Sequence, residues 1–330
     1  MQSRISGKTI LLTGGTGSFG QKFCEIVLNE YNPKSIRVYS RGELMQSQME
    51  QKFRDDRIRF LIGDVRDKER LYRAMNGVDI VVHAAALKQV PACEYNPLEA
   101  VKTNIGGTTN VIDAAIDNGV DCVMVISTDK AVHPVNLYGA TKMVAEKLTI
   151  QGNSYAAGKA TKFSCVRYGN VIGSRGSVIP LFEEQKKTGM LTITDDRMTR
   201  FWITLDQGIR FVLRSIDGMQ GGEIFIPKIP SMSVKDLADA IAPGAKKNII
   251  GIREGEKLHE VLLTEDEARH SIEFNDGFTI EPEFKFWKGR SKEDPHSPGM
   301  PTRENFRYSS DTNTEWLSLE EIRKIIAHAD

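Results

Sequence analysis

A short apolar run, Lys8 to Leu12, ends in the glycine cluster Thr13-Gly14-Gly15-Thr16-Gly17-Ser18-Phe19-Gly20, and a helical pattern through Phe19, Phe23, Ile26 and Val27 follows at once. Few folds place a strand, a glycine turn and a helix in such quick succession. The signature then repeats. Ser35 to Tyr39, Ile58 to Ile62, Asp79 to His83, Cys122 to Ser127 and Phe163 to Tyr168 read as further strands. Helical stretches over Lys68 to Met75, Pro97 to Asn118 and Asn136 to Gln151 separate most of them. Alternation at this spacing predicts βαβ units, hence an α/β fold with a doubly wound parallel sheet of the Rossmann kind. After about Gly169 the pattern turns irregular, which divides the chain into a dinucleotide-binding domain over 1–169 and a smaller substrate-binding domain with a C-terminal extension over 170–330, with later segments returning to the first. The polar stretch from Lys288 to Thr314 is expected to be extended, and Ser318-Leu319-Glu320-Glu321 is a capping box that opens a last helix.

Gly14, Gly17 and Gly20 keep the spacing G-x-x-G-x-x-G. Glycines there let the backbone turn tightly and approach a pyrophosphate, whose charge sits at the helix N-terminus. A glycine triplet alone is weak; between a strand and a helix it predicts a dinucleotide site. The end of the second strand chooses the dinucleotide. An enzyme using NAD places Asp or Glu there for the ribose hydroxyl, whereas this chain has Tyr39-Ser40-Arg41, with Glu43 displaced onward. A hydroxyl followed by a guanidinium suits a 2′-phosphate, so NADP is expected. Asp64-Val65 is placed to meet the adenine, and His83-Ala84-Ala85-Ala86 makes a small-residue floor for the nicotinamide ribose.

Composition excludes other classes. Forty-four Lys plus Arg balance forty-four Asp plus Glu, so no global field recruits nucleic acid or an anionic membrane, and phosphate recognition must be local. No apolar run approaches the length of a membrane span, and the N-terminus lacks the apolar core of a signal peptide. Cys24, Cys93, Cys122 and Cys165 are widely spaced, as are the six histidines. The cysteines read as reduced, mostly buried thiols of a cytoplasmic protein, and no metal site is expected.

Tyr138 and Lys142 form Y-x-x-x-K inside a helical stretch, which puts both on one face. Tyrosine, with a reference pKa of about 10, is a poor base at neutral pH, and a lysine ammonium beside an oxidised nicotinamide would favour its phenolate. Ser127-Thr128-Asp129-Lys130 ends the fifth strand, where ligands bind in doubly wound folds. An Asp-Lys pair is more often a solvated turn, but this one stands at a carboxyl strand end shortly before Tyr138. Thr128 is then the hydroxyl partner for a substrate alcohol. A base for alcohol oxidation, a second acid and a second base are more groups than a simple alcohol dehydrogenase needs.

The chain resembles the extended short-chain dehydrogenase/reductases, and more narrowly the inverting UDP-N-acetylglucosamine 4,6-dehydratases of the pseudaminic acid type. The resemblance runs nearly end to end, through TGGTGSFG (Thr13 to Gly20), GDVRD (Gly63 to Asp67), HAAALKQVP (His83 to Pro91), STDKAVHPVNLYGATK (Ser127 to Lys142), VRYGNVIGSRGSVIP (Val166 to Pro180), TDDRMTRFWIT (Thr194 to Thr204) and GIREGEKLHEVL (Gly251 to Leu262). One departure is Gly42, where an Asp often follows the cofactor arginine. The resemblance implies that Thr16 to Phe19, Ser40, Arg41, Gly42, Glu43, Leu44, Met45, Asp64, Val65, Ala84, Lys88, Lys102, Thr103, Tyr138, Lys142 and Val171 contact NADP. It implies that Lys88, Asn170, the loop from Ser174 to Phe182 with Arg175 and Ile179, Thr192, Arg200, Arg253 and Glu256 hold the UDP-sugar. Arg175, Arg200 and Arg253 are local cations for its diphosphate. It also implies a homo-oligomer, dimer or hexamer, and UDP-N-acetylglucosamine as substrate.

The expected chemistry has three steps. Tyr138 and Lys142 take the hydroxyl proton at sugar carbon 4 as hydrogen passes to the cofactor. Lys130, acting neutral, removes the carbon-5 proton while Asp129, acting protonated, protonates the leaving hydroxyl at carbon 6. Hydrogen then returns to carbon 6, and carbon 5 is reprotonated from the opposite face. Lysine must fall from about 10.4 and aspartate rise from about 3.9 for this. A UDP-sugar 4-epimerase competes, sharing the Tyr-Lys pair but having no use for Asp129 and Lys130. A non-catalytic NADP-binding regulator is the third reading, with no need of Thr128, Tyr138 and Lys142 in register.

Overall fold

The computed structural model describes residues 3–156, 158–173, 178–284, 286–287 and 299–327. Six parallel strands, β1 (Thr9–Thr13), β2 (Ser35–Ser40), β3 (Ile58–Ile62), β4 (Ile80–His83), β5 (Cys122–Ile126) and β6 (Lys162–Val166), lie in the order β3-β2-β1-β4-β5-β6. Each matches a run read from the sequence to within two residues at either end. β1 is buried along its whole length, as a strand covered by helices on both faces must be. The order reverses between β1 and β4, so the carboxyl ends of these two strands open a crevice.

Helix α1 (Ser18–Glu30) follows β1 and buries Phe23, Cys24, Ile26, Val27 and Leu28. The helix read over Pro97 to Asn118 is present but not uniform. It starts as α-helix at Pro97–Ala100, widens to a π-helical turn at Val101–Gly106 and resumes at Gly107–Asn118. The helix carrying Tyr138 spans Leu137–Tyr155, and the Asn136 side chain caps it by accepting from the Gly139 amide at 2.8 Å.

Past Gly169 the chain alternates between two bodies. Ile224–Pro227 joins β6 in parallel, and Gly277–Ile280, Ser271–Glu273 and Met300–Pro301 extend the same sheet antiparallel. The helix Leu205–Gly218 packs against α1. The remaining segments build a second core around Phe182, Leu191, Ile193, Trp202, Leu237 and Ile322. Its strands are Asn170–Ile172, Thr199–Thr204 and Ser231–Ser233, with a parallel pair at Met190–Ile193 and Lys246–Ile249. The expected loop over Ser174 to Phe182 is only partly a loop, because a helix runs from Val178 to Lys186; residues 174–177 lie outside the described residues. The capping box at Ser318 forms: Glu321 accepts from the Ser318 amide at 2.8 Å and returns its own amide to the Ser318 hydroxyl. Of the stretch expected to be extended, the described part holds the short strands Met300–Pro301 and Tyr308–Ser309, and 288–298 lie outside the described residues. No helix among the described residues is long and apolar enough to cross a membrane.

Candidate active site

The crevice is a cavity of about 850 Å³ at the carboxyl ends of the parallel strands. Its first wall is the glycine turn. Gly14 has φ +68°, and a Cβ there would lie 2.9 Å from the backbone of Ala85, so only glycine lets the turn rest on the Ala84–Ala86 run. No side chain of the cap residue Gly17 satisfies the first amides of α1, which leaves a helix N-terminus open to an anion. Thr16, Gly17, Ser18 and Phe19 line this part of the cavity. Gly20 does not: a Cβ on it would meet the Gly15 carbonyl oxygen at 2.2 Å, so it serves helix-to-strand packing rather than contact with a cofactor.

Ser40, Arg41, Gly42, Met45, Asp64 and Val65 form the next wall, at the ends of β2 and β3. The Arg41 guanidinium is mostly exposed, with its nearest acidic oxygen, on Asp64, 4.0 Å away. Asp64 is held more tightly by Arg66, at 2.6 Å. Glu43 and Leu44, read as cofactor contacts, instead face solvent on the helix Glu43–Phe53, because helical rotation turns them outward while Met45 and Gln46 point in. Lys102 is likewise exposed and pairs with Glu99, whereas Thr103 beside it is buried, lines the cavity and has an unpartnered hydroxyl oxygen. An orphaned polar group in the wall and a glycine cradle beneath a helix start are what a dinucleotide fits.

His83, at the end of β4, is buried behind the Ala84–Ala86 floor and does not itself line the cavity. Its Nδ1 lies 2.7 Å from the Thr13 hydroxyl and its Nε2 3.3 Å from that of Thr108. Thr108 spends its proton on the Asn104 carbonyl, so Nε2–H must be the donor and Nδ1 the acceptor from Thr13. Burial first, and then the Lys142 charge, pushes the ring down to about 3.

At the end of β5 the chain turns into a short 3₁₀ segment, Asp129–Ala131, capped by Thr128. Thr128, Lys130, Tyr138 and Lys142 all line the cavity. Asp129 does not; its residue is fully buried, one layer behind. Its Oδ1 accepts from the Thr128 hydroxyl at 2.8 Å and from Lys130 Nζ at 3.1 Å, and its Oδ2 has no partner. Asp129 thus reaches the cavity only through those two neighbours.

The electrostatics differ from the sequence reading in two respects. Burial lowers Lys130, but the carboxylates of Asp129 and of Glu260, 3.5 Å from Nζ, more than offset it, so Lys130 is raised and held as an ammonium. It is not poised as a free amine. Tyr138 is pushed up to about 12 by burial, against smaller opposing effects of Lys130 and the Thr128 hydroxyl. Its expected helper, Lys142, donates Nζ to the Ile126 carbonyl at 2.7 Å, and burial lowers its pKa. In this arrangement the cation acting on the phenol is Lys130.

Of the sugar-nucleotide residues, Lys88 and Asn170 line the cavity, with Val171 between the two regions. Phe182 is buried in the second core, and Ile179 packs against it. Arg200 is a correction: it is buried and commits its guanidinium to the carbonyls of Thr199, Leu258 and Lys257, so it braces the chain instead of clamping a diphosphate. Thr192, Arg253 and Glu256 lie outside the cavity; Arg253 is exposed, 4.0 Å from Glu256. Arg175 falls outside the described residues. Sequence reasoning missed Tyr168, Trp202 and Leu205 in the wall, and Glu260 behind Lys130. Glu260 sits in the quoted string GIREGEKLHEVL, where nothing in the spacing singles it out. Among the described residues no cluster of His, Cys, Asp or Glu could hold a metal ion, and the four cysteines are buried and unpaired.

The family described as "Polysaccharide biosynthesis protein" matches residues 10–282. The chain belongs to this family. It is 50% identical over 331 residues to a Campylobacter jejuni protein named UDP-N-acetylglucosamine 4,6-dehydratase (inverting), covering 99% of each chain. It is 39% identical to a Rickettsia rickettsii protein named UDP-glucose 4-epimerase, covering 98% of this chain and 96% of that one. Among solved structures, Pen from Bacillus thuringiensis superposes with a TM-score of 0.89 at 41% identity, covering 98% of both chains. DesIV from Streptomyces venezuelae, a dTDP-glucose 4,6-dehydratase solved with NAD, gives a TM-score of 0.67 at 24% identity over 76% of this chain and 86% of that one. It shares the fold. A nicotinamide cofactor suits that fold and the cavity described above.

Proposed function

We propose that this protein is an inverting UDP-N-acetylglucosamine 4,6-dehydratase, a hydro-lyase that uses NADP. The observation that carries the reading is the Thr128-Asp129-Lys130 group at the end of β5, whose Thr128 and Lys130 line the same cavity as Tyr138 and Lys142 while Asp129 stands one layer behind them. An epimerase needs Tyr138 and Lys142 but has no use for the acid-base pair Asp129 and Lys130. The substrate named for the 50%-identical relative supports the sugar, and the exposed Arg41 guanidinium at the cavity wall supports the 2′-phosphate of NADP. The resemblance brings with it a cytoplasmic homo-oligomer at the opening of pseudaminic acid or related surface-glycan synthesis.

Tyr138 first releases its phenolic proton to solvent, favoured by the positive charge of Lys130, and the phenolate then accepts the proton of the carbon-4 hydroxyl, which Thr128 orients. An oxidised nicotinamide held by the glycine turn and the Ala84–Ala86 floor would supply positive charge beside the phenol and the capacity to accept and return a hydride. The ketone at carbon 4 then acidifies carbon 5. Lys130 passes a proton to Asp129 and, as the amine, takes the carbon-5 proton. The proton on Asp129 reaches the departing carbon-6 hydroxyl by way of Thr128, whose hydroxyl bridges the buried carboxyl and the cavity.

Purified protein incubated with UDP-N-acetylglucosamine should yield a 4-keto-6-deoxy sugar nucleotide inverted at carbon 5, read by NMR, without steady growth of NADPH absorbance. A product that keeps its carbon-6 oxygen and differs only at carbon 4 would establish the epimerase instead. Continuous NADPH formation would point to a simple dehydrogenase.

A further inference from the structure

Glu260 is buried, with 2% of its surface exposed, and lies about 130 residues beyond Lys130 in sequence. Its Oε1 stands 3.5 Å from Lys130 Nζ and 3.9 Å from Arg200 Nε, and its Oε2 stands 3.6 Å from Lys257 Nζ. None of these is a close hydrogen bond, and Oε2 has no hydrogen-bond partner at all. A buried carboxylate is costly unless paired, and here the pairing is shared loosely among three cations, one of which, Lys130, lines the cavity. The backbone is nevertheless fixed with care. The Glu260 amide donates to the Ser310 hydroxyl at 2.9 Å, its carbonyl accepts from the Ser310 amide at 2.8 Å, and Val261–Leu263 pairs with Tyr308–Ser309. The carboxylate is thereby kept beside Lys130 Nζ as a second anion in addition to Asp129.

We propose that Glu260 is a positioning residue for proton transfer at carbon 5, holding Lys130 Nζ opposite Asp129 and setting the charge that Lys130 carries when substrate arrives. The inference rests on the dehydratase reading above. Asp129 takes one proton from Nζ, breaking N–H and forming O–H. The amine then accepts the carbon-5 proton, breaking C–H and re-forming N–H, while the C–H electron pair moves into the ketone-conjugated system. Glu260 stays a carboxylate throughout. Its negative charge favours the ammonium that each carbon-5 abstraction creates. The other charged and titratable groups around this centre are Asp129, Tyr138, Lys88, Arg200 and Lys257.

The test uses holoenzyme and the 4-keto-6-deoxy product, whose carbon-5 hydrogen exchanges in deuterated water without renewed oxidation at carbon 4. Exchange is followed by NMR against pH. Because exchange needs the amine form of a lysine held mostly as ammonium, it should climb with pH across the working range, and Glu260→Gln should move that rise to lower pH by at least about one unit, read as about tenfold faster exchange at a given pH, because an anion beside Nζ is gone. Glu260→Asp, which keeps the charge, should stay with the native profile. Lys257→Met frees Glu260 to act on Lys130 and should move the rise to higher pH; it carries the test alone should Glu260→Gln fail to fold in a thermal melt. A Glu260→Gln profile superimposed on the native one overturns the proposal, as does an aspartate variant displaced as far as the glutamine one, or an unmoved Lys257→Met. If native protein neither dehydrates UDP-N-acetylglucosamine nor exchanges carbon 5, it is the dehydratase reading that fails.

Discussion

His83 gives a quantitative check on the layer buried behind the floor of the cavity. The ring is 1% exposed and bonded on both nitrogens by hydroxyl groups that fix it neutral. Burial, then the Lys142 charge, pushes it down to about 3 in the folded protein, whereas an unfolded histidine titrates at about 6.5. Between these values the unfolded chain takes up a proton that the folded one refuses. The group's contribution is therefore fully present above about pH 6.5 and is lost as the pH falls toward about 3. Going from about pH 7 to about pH 5 should remove about 2 kcal/mol through this ring alone. Carboxylates titrate in part of the same range, so the informative quantity is a difference, obtained from urea unfolding of native protein and His83→Asn at both pH values. The variant starts less stable, having lost contacts to Thr13 and Thr108, but its further loss on acidification should be smaller by about 2 kcal/mol. Equal losses would refute the neutral, buried assignment.

Arg41→Ala should weaken NADP by about tenfold more than NAD in fluorescence titrations, since only NADP carries the 2′-phosphate that the proposed reading sets against this guanidinium; equal weakening would make it structural. Gly14→Ala should abolish measurable cofactor binding and cost about 1–3 kcal/mol in thermal unfolding, through the left-handed φ and the 2.9 Å approach to Ala85. Arg167, which is buried and bridges Glu146 and Glu267 at 2.7 and 3.0 Å, should cost about 3–5 kcal/mol as Arg167→Ala in urea unfolding, because two carboxylates lose their cation.

Local pattern made the parallel half of the sheet legible. Period and punctuation mark each of β1 to β6, and the glycine spacing and the i, i+4 relation of Tyr138 and Lys142 are local facts. The antiparallel extension was not legible, because Gly277–Ile280 and Ser271–Glu273 are three- and four-residue strands whose partners are chosen by packing. The π-helical turn at Val101–Gly106 escaped for a different reason: its β-branched residues, Asn104 and Gly106 lower helix propensity without marking where a turn widens. Residue identities in the Thr128-Asp129-Lys130 group could be read, but their ionisation could not. It depends on Glu260, which only the folded chain brings alongside, and on burial that removes Asp129 from the wall. Arg200 misled because a cation in a chain with no net charge invites a phosphate, while its real partners are carbonyls.

The strand Tyr308–Ser309 has a consequence for how the molecule comes into being. On the ribosome, β1 to β6 emerge early and can pair in order, and the glycine turn forms with them. The backbone of Glu260, whose carboxylate faces Lys130, is steadied by Ser309 and Ser310, which leave the exit tunnel well after β6. A nascent chain can thus gain its nucleotide crevice long before its proton-transfer centre is held in place, and a C-terminal truncation that spares every residue of the cavity wall would still loosen the lysine at its heart.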